Sequence, residues 1–82
     1  MDSNIEKIDI IQVSTEDYEA IYINGKQIHA DHSIYSYEIL ERLKGKYINS
    51  FEKYWIDEHT LEEKYNWDFP YEFKDWNIDD LK

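Results

Sequence analysis

Residues 5 to 13 read IEKIDIIQV, with Ile8 and Ile10 alternating against Asp9 and Ile11. A period of two predicts a β-strand rather than a helix. Ser14, Thr15, Glu16 and Asp17 are turn formers, and a second β-rich run, YEAIYI over residues 18 to 23, follows them and leads into Asn24-Gly25. That dipeptide is a strong hairpin signal, because a type I′ turn needs positive φ at both central positions. A two-residue turn sets Ile23 opposite Lys26, Tyr22 opposite Gln27 and Ile21 opposite Ile28. The last pair joins two apolar residues on one face, which supports the register.

After His29 the period becomes helical. Ile39, Leu40, Leu43 and Tyr47 recur at three-to-four spacing, and Glu38 stands four before Arg42. Asp31 or Ser33 can cap this first helix, Gly45 can end it, and Lys44 and Lys46 suit its negative end. Asn49 with Glu52 has the spacing of a capping box for a second helix carrying Phe51, Tyr54 and Trp55, and Thr60 with Glu63 for a third, running to about Asn66. From there Trp67, Phe69, Tyr71 and Phe73 alternate with Asp68, Pro70, Glu72 and Lys74. Pro70 cannot donate a ladder hydrogen bond, so this stretch is expected as an edge strand or an extended arm. The expected fold is α+β: a three-stranded antiparallel sheet with its hairpin at Asn24-Gly25, then two or three short helices and an extended aromatic and acidic C-terminal segment. At 82 residues the chain has room for one domain, 1–82.

Composition adds to this picture. Only 41% of residues are hydrophobic, but 17% are aromatic, and large rings bury enough area to fold a short chain. The net charge of −10 repels phosphate, which disfavours direct contact with nucleic acid or an anionic membrane and favours basic partners. The absence of cysteine removes disulfides, thiolate metal sites and a Cys nucleophile. No apolar run approaches the about 18 residues of a membrane span, and the opening MDSNIEKIDI lacks a basic region followed by an apolar one. A cytoplasmic protein is the expectation.

Motifs for chemistry are lacking. His29-Ala30-Asp31-His32 is the nearest approach to a metal-ligand cluster, but a zinc site needs three or four donors in defined geometry. The plainer reading is a polar strand-to-helix junction. Carboxylate pairs are abundant by composition alone, and there is no GxSxG, no glycine-rich phosphate loop and no calcium loop. The chain is expected to be no enzyme and to need no cofactor or metal.

The charge is unevenly spread. Residues 1–25 carry a net −5, residues 26–56 a net +1 and residues 57–82 a net −6. In the last segment acids recur every three to five residues: Asp57 and Glu58, Glu62 and Glu63, Asp68, Glu72, Asp75, Asp79 and Asp80. Four helical residues span about 6 Å, a spacing at which carboxylates can occupy sites built for successive phosphates. Tyr71 and Trp76, set between these acids, have the character of buried anchors in protein interfaces. Together the acids and these two rings form the candidate partner-binding surface, one that plugs a basic groove. The competing reading leaves the acids merely solvated and draws the aromatics into an undersized core. Both can hold if Trp55 and Trp67 are buried while Tyr71 and Trp76 face outward.

In size, acidity, lack of Cys and a hairpin followed by helices, the chain resembles the small acidic inhibitors that phages make against bacterial defence, including anti-CRISPR and anti-restriction proteins. The resemblance is of type, with no shared motif, and it implies a DNA mimic that blocks the DNA-binding site of a nuclease or CRISPR effector. Ile23-Asn24-Gly25-Lys26-Gln27-Ile28, leading into a helix, is also similar to the opening of barstar-type immunity proteins. That likeness implies neutralisation of a ribonuclease toxin. A general protein–protein interaction module, binding through the C-terminal aromatic face, is the remaining alternative.

Overall fold

The computed structural model describes residues 6–32, 43 and 46–82. Strands β1 (Glu6–Ser14), β2 (Glu19–Ile23), β3 (Lys26–Asp31) and β4 (Lys46–Trp55) form one sheet in the order β3-β2-β1-β4. β1, β2 and β3 make the expected antiparallel meander. β4 runs parallel to β1. A helix, α1 (Glu58–Tyr65), and two 3-10 turns, Phe73–Asp75 and Ile78–Asp80, complete an α+β chain.

The hairpin forms where Asn24-Gly25 predicts it, with φ of 51° at Asn24 and 86° at Gly25. Ile23 pairs with Lys26 and Tyr22 with Gln27 as expected. The register then shifts, so that Ile21 faces His29 and not Ile28. One extra residue in β3 at this bulge turns Ile28 toward the apolar cluster of Ile8, Ile10 and Ile21.

The helix expected after Asn49 is instead β4. Phe51, Tyr54 and Trp55 have a helix-compatible spacing, but the segment is also rich in β-formers, and pairing with β1 satisfies the outer backbone groups of that strand. Asn49, read as a helix cap, lies at a register shift between β1 and β4. Its Nδ2 donates to Asp9 Oδ1 at 2.9 Å, and Ser50 Oγ donates to the same oxygen at 2.8 Å. The first helix expected after His29 falls mostly outside the described residues. Leu43 is helical, while Lys46 and Tyr47 already belong to β4.

Both faces of the sheet are covered. On one, Ile8, Ile10 and Ile21 are buried, with Ile23, Ile28 and Leu43 packed against them. On the other lie Val13, Ala20 and Tyr22, covered by Ile56, Leu61, Phe69, Trp76 and Leu81 from the C-terminal third. That third acts as a strap. At the β3 edge Gln27 N–H donates to the Tyr71 carbonyl (2.7 Å) and Phe73 N–H to the Gly25 carbonyl (2.7 Å). At the β4 edge Trp55 and Lys82 exchange two backbone hydrogen bonds of 3.0 and 2.9 Å.

Tyr22 holds the strap to the sheet. Its ring is fully buried, its hydroxyl donates to the Pro70 carbonyl, and Trp76 Nε1–H donates to that hydroxyl at 3.1 Å. Trp76 also meets the Tyr65 ring at a tilt (centroids 4.6 Å apart) and the Phe69 ring edge-on (5.3 Å). Replacing it by alanine opens a cavity and removes one hydrogen bond to the Tyr22 hydroxyl, so Trp76→Ala is expected to cost about 3–5 kcal/mol in urea denaturation. A loss below about 1 kcal/mol would show that the strap does not depend on this ring.

Candidate interaction surface

Helix α1 is capped by Asp57 and not by the expected Thr60. The Asp57 carboxylate accepts the Thr60 N–H at 3.2 Å, which satisfies one of the orphan donors of the first turn. Glu58 occupies that turn, and Glu62 and Glu63 are exposed further along, Glu63 beside His59 at 3.3 Å. Folding brings in two more acids. Glu16 and Asp17, on the turn between β1 and β2, lie against Glu58. Desolvation, then the charges of Glu16 and Asp17, a side-chain hydrogen bond with Glu16 and the charge of Asp57, hold the Glu58 carboxyl above its ordinary titration range. Among the described residues no Lys or Arg pairs with any of these four carboxylates.

The strap divides the remaining candidates. Asp68, Asp75 and Asp79 are exposed, and Glu72 is half-buried opposite Lys26, with Lys74 at 3.8 Å. Asp80 is engaged inside the fold: its side chain is only 8% exposed, and it accepts from Lys64 Nζ at 2.8 Å and Tyr65 hydroxyl at 2.9 Å. Those two partners hold its pKa below the ordinary carboxylate value. Tyr71 points outward as expected, 63% exposed. Trp76, expected outward, is 6% exposed, because its indole N–H can be satisfied by Tyr22 and its rings by Phe69 and Tyr65. Trp67 and Trp55, expected inside, are 54% and 42% exposed.

A reversal of the backbone explains Trp67. Asn66 closes α1 in the left-handed region (φ 56°) and Trp67 follows with φ 64°. The first is an ordinary helix stop. The second is strained for a bulky residue, by about 1–3 kcal/mol, and persists because Trp67 N–H bonds the Leu61 carbonyl (3.1 Å) and Asp68 N–H the Tyr65 carbonyl (3.0 Å). The turn sends Phe69 into the core and leaves the Trp67 indole at the rim of a cavity of about 220 Å³. Thr15, Tyr18, Gln27 and Asp68 also line this cavity, and none but Asp68 was a candidate from sequence. Their sequence signal was only that of turn and strand formers.

His32 Nδ1 lies 3.0 Å from the Asp17 carbonyl, and its ring meets Tyr18 edge-on at 5.3 Å. His29 and His32 thus belong to the sheet edge and the adjoining turn. Among the described residues no group of three or more His, Asp or Glu side chains is placed to hold a metal ion. No helix among the described residues is long and apolar enough to cross a membrane. Comparison of the chain with known protein families, with curated proteins and with solved structures yields no match.

Two titrations check these electrostatics. In a carboxyl NMR titration, Glu16→Gln is expected to lower the Glu58 midpoint toward that of an ordinary glutamate. An unchanged midpoint would mean that the two acids do not interact. Asp80 titrates lower folded than unfolded, so its stabilisation is present above the unfolded value of 3.8 and is lost as pH falls through the folded one. Asp80→Asn should therefore flatten the acid limb of the pH–stability curve below about pH 4, and an unaltered limb would contradict the Lys64 and Tyr65 contacts.

Proposed function

We propose that this protein is a non-enzymatic inhibitor that occupies the basic nucleic-acid-binding groove of a nuclease or CRISPR effector in the bacterial cytoplasm. It mimics the charge of DNA and so blocks DNA binding. The observation that carries this reading is the cluster of Glu16, Asp17, Asp57 and Glu58, assembled from both acidic ends of the chain without a basic partner among the described residues. Like charges held together at a cost are relieved when a partner brings cations, and opposite fields steer the encounter. Glu62 and Glu63 on the exposed side of α1, with Asp68 on the strap, extend the same negative surface.

A second reading, a general interaction module, draws support from another place. Tyr47 (56%), Ile48 (46%), Phe51 (52%) and Trp55 (42%) are exposed along β4, an edge strand of the sheet. Exposed rings of this kind are typical of interface anchors.

One experiment separates them. The purified protein is used as bait in bacterial lysate, washed at low and then at about 1 M salt, and each captured protein is tested for DNA binding while bound. The inhibitor reading expects a nucleic-acid enzyme that high salt releases and that cannot bind DNA in the complex. It also expects capture to fail with the variant Glu16→Gln, Asp17→Asn, Asp57→Asn, Glu58→Gln, in which the side-chain amide oxygen introduced at position 57 can still cap α1. Capture that survives both high salt and this folded variant, yet is lost on Phe51→Ala, would transfer the function to β4.

A further inference from the structure

We propose that the cavity beside Trp67 is a receptor for a guanidinium group, the arginine side chain of a partner. The arginine's origin rests on the function proposed above, while the chemistry of the cavity stands on its own residues.

The walls are of two kinds. Tyr18, Leu61, Trp67 and Phe69 provide rings and an aliphatic surface, with the Tyr18 and Phe69 rings packed edge-on at 5.2 Å. Asp68, Gln27 and Thr15 provide polar atoms. Thr15 is only 6% exposed, and its hydroxyl has no hydrogen-bond partner among the described residues. A buried hydroxyl without a partner is rare in a folded protein, and the residue that carries it is one of those lining the cavity. Gln27 is loosely engaged: its Nε2 donates to the Phe69 and Pro70 carbonyls at 3.5 and 3.4 Å and to the Tyr22 hydroxyl at 3.5 Å, long for such bonds. The Asp68 carboxylate has no basic partner among the described residues.

These features select the ligand. A carboxylate, a hydroxyl and an amide oxygen are acceptors, so the complementary group is rich in donors. Glu16 and Asp17, adjoining Thr15 and Tyr18 in the chain, make the approach negative and exclude phosphate and carboxylate ligands. Guanidinium carries five N–H donors and no acceptor, is planar and weakly hydrated, and stacks on aromatic faces. An ammonium holds its water more strongly and cannot stack as a plane. At about 220 Å³ the cavity is smaller than the usual site of a drug-sized ligand, and suits one side chain.

The test needs no partner. Nα-acetyl-arginine amide is titrated into the ¹⁵N-labelled protein, with the matching lysine and citrulline compounds and adenosine as comparisons. The proposal expects the Trp67 indole and Gln27 side-chain amide signals to move with arginine at a Kd of about 1 mM, and at least about fivefold weaker binding of the other three. Asp68→Asn is expected to weaken arginine binding about tenfold. Thr15→Val is expected to raise Tm, by removing the unpartnered hydroxyl, and yet weaken arginine binding about threefold. Equal shifts with lysine would reduce the effect to general attraction by an acidic surface. Equal shifts with citrulline or adenosine would make the cavity a site for neutral planar groups. Either result, or no shift with arginine up to about 50 mM, overturns the proposal while leaving groove competition through the Glu16–Glu58 cluster intact.

Discussion

A tyrosine hydroxyl buried at the middle of a β-sheet must find hydrogen-bond partners, and for Tyr22 the C-terminal third supplies the acceptor and the shorter of two donors, with Gln27 Nε2 on β3 the longer at 3.5 Å. Pro70 offers a carbonyl and Trp76 an indole N–H, and satisfying both fixes where the strap crosses the sheet. The rest of that face follows. With Trp76 seated, Phe69 and Tyr65 pack on its two sides, Asp80 meets Lys64 and Tyr65, and the last residues reach Trp55. The strap thereby pairs with the backbone of both edge strands, β3 through residues 71 to 73 and β4 through residues 81 and 82.

The same arrangement distributes charge and rings. Because the strap lies along one face with Phe69 and Trp76 inward, its acids at 68, 75 and 79 are left in water. Because Ile56 is fully buried next to Ser14, to which its N–H donates, α1 begins close to the β1–β2 turn. Glu58 then meets Glu16 and Asp17 as a result of packing. The core thus assembles a cluster of like charges to which no Lys or Arg is paired among the described residues.

The sequence made some of this legible and hid the rest for identifiable reasons. Asn24-Gly25 was readable because a type I′ turn is a local demand on two residues, and the observed φ values satisfy it. β1 was readable from its apolar alternation, and β2 from its run of β-formers leading into that turn. β4 was not, since Tyr47, Phe51 and Trp55 repeat every fourth residue as a helix face would, and what decides the matter is parallel pairing with a strand about forty residues earlier. The sorting of the tryptophans was hidden too. The period of two from Trp67 to Phe73 assumes an extended chain, and the left-handed residues at 66 and 67 break it at its first member. The acids of α1 and the strap were visible as a row, but nothing local joins Glu16 to Glu58 or Thr15 to Asp68. Those contacts come from the tertiary fold.

The hydrogen bond between Trp76 and Tyr22 spans 54 positions of the chain, whereas the β2–β3 hairpin closes over two residues. Loop-closure entropy favours the short loop first, so the meander has the advantage in time and the strap arrives late. In the interval the Val13, Ala20 and Tyr22 face is naked and β3 presents an unpaired edge, the kind of template on which neighbouring chains stack. The strap is therefore a guard against self-association as well as part of the core. The hazard this molecule faces during folding is set by how quickly its final third comes home.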